Sequence, residues 1–370
     1  MISRKFDLNK ILQKNKVVIV YGPRRVGKTT LLNIFLEKTD LKYKLDNGEN
    51  IRLQKLLNSL DFKKIKEYVD GYDLIVIDEA QEIKNIGKAL KIIVDQVKDI
   101  YVLVTGSSSF ELSQEIGEPL TGRKKTITLY PFSQSELLTL YNKYELKEKL
   151  EDFLIFGSYP DVVLAKNKEE KVALLNELVD SYLLKDILKL DKIKFSKKLL
   201  NLLKLLAFQV GNLVSLNELA QKVSLDVKTV DRYLDILEKG FVIKSLSGFS
   251  RNMRNEINTK SKYYFLDNGI RNALISQFNS LDNRDDIGAL FENFLVIEKN
   301  KKDNLVNNYY FWRNYEGKEI DLIEDRDGKI YAFEFKWNKI KKDLPKDFLE
   351  NYNNVEFNSV NKNNYLDFIT

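Results

Sequence analysis

The sequence predicts an α/β chain: a parallel sheet flanked by helices, then a run of helices, a helix-turn-helix and a second, smaller α/β domain. Three observations carry this. Val17 to Tyr21, Leu74 to Ile77 and Ile100 to Val104 are apolar runs separated by helix-patterned stretches, as strands covered on both faces require. The first run leads directly into a glycine-containing loop and a good helix former, Thr30 to Lys38. Far downstream, Glu319 to Ile323 and Ile330 to Trp337 alternate about an Asp327-Gly328 turn, the pattern of a hairpin.

At 370 residues the chain exceeds one core of average size, so two to four domains are expected. Cysteine is absent, which excludes disulfides and Cys-based zinc sites; histidine is absent too, so carboxylates, Lys, Tyr, hydroxyls and bound metal are left for any chemistry. Sixty Lys and Arg against 54 Asp and Glu give +6, a modest excess that allows contact with nucleic acid without demanding it. No apolar run approaches the ~20 residues that span a bilayer, and the first residues lack a signal-peptide pattern. A cytoplasmic protein without a membrane partner is expected.

The loop after the first strand is Gly22-Pro23-Arg24-Arg25-Val26-Gly27-Lys28-Thr29, followed by Thr30. It satisfies G-x-x-x-x-G-K-[ST] between strand and helix, the Walker A arrangement of a P-loop NTPase. Glycines let backbone N–H groups curl around phosphate oxygens, and the helix N-terminus adds a positive dipole end. Lys28 is expected on the β/γ-phosphates of ATP and Thr29 on Mg2+. Leu41 to Asp46 reads as a second strand, and Leu53 to Val69 as a helix packed on the sheet. Leu74 to Gln81 then supplies a buried strand ending in Asp78 and Glu79, the Walker B position. Asp78 would complete the Mg2+ site opposite Thr29, and Glu79 would orient or deprotonate the attacking water. The third run ends in Thr105-Gly106-Ser107-Ser108-Ser109. Thr105 and Ser107 read equally as phosphate sensors or as a helix-cap cluster. Arg123, before a strand at Thr126 to Leu129, reads as an arginine finger, in cis or in trans, or as a surface arginine.

GPRRVGKTTLL, LIVIDEAQ, VLVTGSSS, LTGR and the FGSYPDVV at Phe156 to Val163 together resemble the AAA-type ATPases. More narrowly, they resemble a bacterial and archaeal ATPase family with a nuclease-like C-terminal domain. The resemblance implies a five-stranded parallel sheet with the sensor strand between the phosphate-loop and acidic strands. It also implies a helical lid, to which Pro131 to about Lys194 corresponds. Pro160 in Gly157-Ser158-Tyr159-Pro160 could lie near the adenine, or the break could be a plain helix-to-helix turn.

Ser215-Leu216-Asn217-Glu218 is a capping-box pattern opening a helix through Val223. A turn at Ser224 to Asp226, a helix from Val227 to Lys239, a stop at Gly240 and a strand from Phe241 to Ser245 complete a winged helix-turn-helix. Val230, Leu234 and Leu237 face the core, whereas Lys228, Thr229 and Arg232 can face a DNA major groove. Winged helices also serve as interdomain packing modules.

In the last segment, Lys262 to Leu266 reads as a strand and Ile287 to Lys299 as a helix bearing Glu292. Alternation puts Phe333, Phe335 and Trp337 on one face of the return strand and Glu334 with Lys336 on the other. Asp321, twelve intervening residues and Glu334-Phe335-Lys336 match the spacing of the PD-(D/E)xK nucleases, with Ile320 in place of the leading Pro. That resemblance implies a restriction-endonuclease-like domain in which Asp321, Glu334 and the helix carboxylate Glu292 bind Mg2+ and Lys336 assists the water. An exposed Glu/Lys pair on an amphipathic strand is the bland alternative.

The expected organisation is therefore an ATPase core over 1–130, a lid over 131–195, a winged helix over 196–250 and a nuclease-like domain over 251–370. The expected function is Mg2+-dependent ATP hydrolysis coupled to a metal-dependent DNA nuclease. The competing expectation is a nucleotide-switched binding protein whose last domain is an inactive recognition module. DNA is the expected partner, with a homo-oligomer possible.

Overall fold

A computed structural model describes residues 2–106, 119–180, 196–250, 260–303, 308–339 and 343–370. Ser107 to Ser109, and residues 181–195 at the end of the expected lid, lie outside the described residues. The chain forms two compact units, Ser3–Pro131 with Lys239–Phe241, and Phe132–Glu238 with Val242–Thr370.

The first unit is built on β1 (Val17–Tyr21), β2 (Tyr43–Asn47), β3 (Leu74–Asp78), β4 (Tyr101–Gly106) and β5 (Lys124–Thr128), in the order β2-β3-β4-β1-β5. Every pairing is parallel, and β4 stands between the phosphate-loop and acidic strands, as expected. All residues of β1 and β3 are buried, because helices cover both faces of a parallel sheet. One core cluster joins Ile19, Ile75 and Val104 of the sheet to Leu57, Ile65 and Leu90 of the helices. The helix expected over Leu53 to Val69 is two helices, Ile51–Asn58 and Phe62–Val69. Leu60 takes a left-handed φ of +52°, and the Asp61 side chain caps the second helix by accepting from the N–H groups of Lys63 and Lys64. The cap, written in one aspartate, outweighs a continuous apolar stripe.

In the second unit, short helices run from Gln134–Leu137 to Lys168–Leu178, as the helical spacing predicts. The Gly157 break is a tight turn: φ is +72°, and a Cβ there would lie 2.0 Å from the Asp267 carboxylate. Asp267 accepts from the Ser158 N–H at 2.7 Å, and Pro160 occupies the first turn of the next helix. Burial pushes the Asp267 carboxyl above the usual range, against the backbone donors and Lys301.

Helix Ser196–Phe208, β6 (Leu213–Val214), helices Leu216–Val223 and Val227–Lys239, β7 (Ile243–Gly248) and β8 (Ser261–Phe265) follow in order. Ser215 caps its helix, but the Glu218 carboxylate pairs with Lys222 at 2.6 Å. Strand β7 begins two residues later than expected, since Phe241 holds φ +60° in the turn.

The sheet does not stop at residue 250. β9 (Asn308–Arg313), β10 (Glu319–Arg326), β11 (Lys329–Phe335) and β12 (Val355–Val360) continue it as β12-β11-β10-β9-β7-β8-β6. Ser247 and Gly248 of β7 pair with Tyr310 and Phe311 of β9 in parallel. The segment expected to form a winged helix and the C-terminal segment thus share one seven-stranded sheet, joined by backbone pairing between strand edges. Return strand β11 is buried on both faces from Ala332 to Phe335; Glu334 is buried and Lys336 exposed, unlike the exposed Glu/Lys pair of the bland alternative. Among the described residues, no helix is long and apolar enough to cross a membrane.

Candidate nucleotide site and C-terminal carboxylate cluster

The phosphate loop owes its shape to two glycines. Gly22 has φ +149°, and a Cβ on it would stand 2.0 Å from the Leu129 carbonyl, so only glycine fits where β5 extends past the loop. Gly27 has φ +88° and is the N-cap of helix Lys28–Leu36. Lys28 is buried, and its Nζ donates to the carbonyls of Gly22 at 3.0 Å and Pro23 at 2.9 Å. The ammonium is thereby held inside the loop that the motif predicts will take phosphate. Pro23 and Val26 are buried and Gly27 is half-buried, whereas Arg24, Arg25, Thr29 and Thr30 are exposed.

Thr29 Oγ1 donates to Asp78 Oδ2 at 2.8 Å, across the C-terminal edge of the sheet. Thr105, fully buried at the end of β4, donates its hydroxyl to the other oxygen of Asp78. The Glu79 N–H in turn donates to Thr105 Oγ1 at 3.0 Å. Four residues from three elements thus form one hydrogen-bonded chain. Glu79 sits at φ +51° and ψ +44°, a conformation rare for a non-glycine residue, and Gln81 donates to its carboxylate at 2.5 Å.

Thr105 therefore holds the acidic pair, and the described residues show it capping no helix. Arg123 is a different matter. Its carbonyl accepts from the N–H of Val17, the first residue of β1, whereas the phosphate loop follows the last. The strand separates them by about 13 Å. Its guanidinium pairs with Asp95 at 2.6 Å, away from the phosphate loop of the same chain.

Two contributors escaped the sequence reading. Arg4 donates to the Val26 carbonyl in the loop and to the Tyr130 carbonyl at 3.1 Å, joining loop and exit strand. A Cβ on Gly48 would lie 2.2 Å from the Glu79 carbonyl, so a glycine at the end of β2 admits the strained turn. An arginine 18 residues before the loop and a glycine 31 residues before the acid carry no local pattern.

The second constellation lies in the shared sheet. The β10–β11 register pairs Leu322 with Phe333, and continuing it by one sets Asp321 opposite Glu334. Both are buried. Two carboxylates directly across a ladder repel. Lys336 relieves this, with Nζ 3.0 Å from Glu334 Oε1 and 3.6 Å from Asp321 Oδ2. Burial opposes the Lys336 charge, but the two carboxylates outweigh it and hold its pKa above the ordinary value. The Phe335 N–H donates to Asp321 Oδ2 at 2.7 Å. The three residues that the spacing singles out are thus brought together.

Glu292 is engaged differently. Its Oε1 accepts from Lys262 Nζ at 3.1 Å and from Tyr264 Oη at 2.7 Å, both on β8. Lys262 also pairs with Glu319. Burial pushes the Glu292 carboxyl up to about 7; Asp321 adds to the rise and Lys262 opposes it. Among the described residues, no group of three or more acids is arranged to hold a metal ion.

On helix Val227–Lys239, Val230, Leu234 and Leu237 are buried, and Lys228 and Arg232 are exposed. Thr229 is half-buried, and its hydroxyl donates to Asp226 at 2.6 Å as part of the helix start.

Residues 14–138 match a family model described as an AAA domain. Residues 147–281 and 287–366 match two domains of unknown function, DUF8612 and DUF4143. The chain therefore carries a P-loop ATPase-like AAA domain followed by a DUF4143 domain. It is 27% identical over 387 residues to an uncharacterized protein of Haemophilus influenzae, covering 96% of this chain and 92% of that one. Uncharacterized proteins of Mycobacterium tuberculosis and Methanocaldococcus jannaschii are each 26% identical, over 89% and 87% of this chain and 72% and 75% of theirs. Among solved structures, a signal-transduction ATPase with a tetratricopeptide repeat sensor from Pyrococcus horikoshii aligns at TM-score 0.32 and 15% identity, over 82% of this chain and 46% of that one. The RuvB Holliday junction branch migration motor of Thermotoga maritima aligns at TM-score 0.30 and 16% identity, over 62% and 81%.

Proposed function

We propose that this chain is a Mg2+-dependent ATP hydrolase whose nucleotide cycle switches a DNA-binding second unit containing a winged helix and a nuclease-like recognition domain. The observation that carries the ATPase reading is the chain Thr29, Asp78, Thr105 and Glu79 at the sheet edge beside the phosphate loop. A hydroxyl and a carboxylate 2.8 Å apart are hard oxygen donors of the kind Mg2+ takes, so the residues fit the ion. Bound Mg2+ would neutralise charge on the phosphates. Lys28 would exchange its loop carbonyls for phosphate oxygens, and Glu79 would accept the proton of the attacking water, held by its turn and by Gln81.

Lys28→Ala is expected to abolish ATP binding. Glu79→Gln is expected to keep binding and lose about 100-fold or more in kcat. Turnover unchanged in both variants would remove the assignment.

The order of helix, short strand, two helices and hairpin supports a winged helix, with Lys228 and Arg232 as its DNA contacts and Thr229 as a cap. For the last domain, the gathering of Asp321, Glu334 and Lys336 supports a restriction-endonuclease-like fold. Engagement of Glu292 by Lys262 and Tyr264 favours recognition over cleavage, since folds do not fix functions. Cutting of DNA with Mg2+ or Mn2+, abolished by Asp321→Ala and by Lys336→Ala, would decide for the nuclease instead.

A further inference from the structure

The least expected residue of the C-terminal cluster is Lys262. It lies on β8, which pairs antiparallel with β7, and its side chain is 1% exposed. An ammonium so deeply buried survives only when paired. Its partners come from two other elements: Glu292 from helix Ile287–Asp303, at 3.1 Å, and Glu319 from β10. The Phe311 ring, 5.5 Å away, offers a third favourable surface. Tyr264, two residues on and so on the same face of β8, donates to the same oxygen of Glu292.

The nuclease pattern asks Glu292 to share a divalent cation with Asp321 and Glu334. The residues do not fit that demand. One oxygen of Glu292 already accepts two donors, and a dication on this carboxylate would stand close to a buried ammonium. Lys336 covers the other two carboxylates. Two lysines thus serve the four acids, Lys262 pairing with Glu292 and Glu319 and Lys336 with Asp321 and Glu334.

We propose that Lys262 is the resident cation of this cluster, doing for Glu292 what the nuclease pattern assigns to a metal ion and pairing with Glu319 as well. It thereby locks the hairpin strand β8 to the helix and to β10. This deepens the recognition reading of the last domain. A domain neutralised from within keeps its fold without metal.

The test is uptake of Mn2+ by nucleotide-free protein, read from the EPR signal of free ion. The parent and Glu292→Gln are expected to take up Mn2+ with affinities within about twofold. A parent affinity that falls tenfold or more in Glu292→Gln overturns the proposal. Lys262→Met is expected to melt at lower temperature than both the parent and Lys262→Arg, with Mn2+ restoring part of the loss. An unchanged melting temperature in Lys262→Met also overturns it. Should Lys262→Met fail to fold, the comparison of parent with Glu292→Gln decides alone. If the parent cuts DNA while Glu292→Gln leaves both cutting and Mn2+ uptake intact, the recognition reading fails and the role of Lys262 stands.

Discussion

Thr105 shows how one hydroxyl orders a site. It donates to Asp78 and accepts from the Glu79 N–H, so two residues meant for metal and water are set by a third that bonds to both. Thr105→Val keeps the shape and removes the polar atom. The buried Asp78 carboxylate and the half-buried Glu79 N–H then lose their bond, at a cost of about 1–3 kcal/mol. The expected result is a lower melting temperature together with a tenfold or greater fall in kcat for ATP, with nucleotide affinity changed less. An unchanged kcat would show that Thr105 does not position the acids. At this scale the sequence was legible where chemistry is local. Lys28, Thr29, Asp78 and Glu79 lie in short motifs after strands, and the strand-loop-helix order alone brings them to one edge. Arg4, Gly48 and Lys262 act across long separations, and nothing near them in the chain marks the partner.

Among elements, helix Asn268–Leu274 is anchored by charge. Arg271 is 2% exposed, and its guanidinium pairs with Asp286 at 2.5 Å and donates to the Ala207 carbonyl at 2.8 Å. Arg284 reaches the same carboxylate at 2.8 Å. Burial pushes the Asp286 carboxyl up, but hydrogen bonds and charge from Arg284 and Arg271 prevail and leave it below its ordinary 3.8. A group depressed in the folded state contributes stability that is present above pH 3.8 and is lost as pH falls below it. Asp286→Asn leaves two guanidiniums without their charge partner and is expected to cost about 3 kcal/mol at pH 7. Denaturant midpoints at pH 7 and pH 3 check this: the parent should lose more on acidification than the variant, and equal losses would refute it. Element boundaries followed the sequence where caps and turns are short-range. The split at Leu60 and the delayed start of β7 did not, because positive φ at Leu60 and Phe241 goes against residue type.

For the whole molecule, the proposed DNA partner gives a prediction that does not depend on cleavage. Each lysine or arginine that neutralises a phosphate releases a counterion. Replacing Lys228 and Arg232 together by Ala should reduce the slope of log K against log salt by about 2 and weaken duplexes of different sequence alike. A slope unchanged in the double variant would remove helix Val227–Lys239 as the contact. By itself, the sequence determined the phosphate loop, the acidic strand, the buried strands of an α/β sheet, and the Asp321, Glu334 and Lys336 constellation. Each of these is set by period, spacing or a motif a few residues long. Only the tertiary structure decided that β7 pairs with β9 and merges two expected domains into one sheet, that Arg123 lies at the far end of its strand, and that Lys262 answers Glu292. Those outcomes depend on which strand edges meet and which charges are buried together, and both are properties of the packed chain.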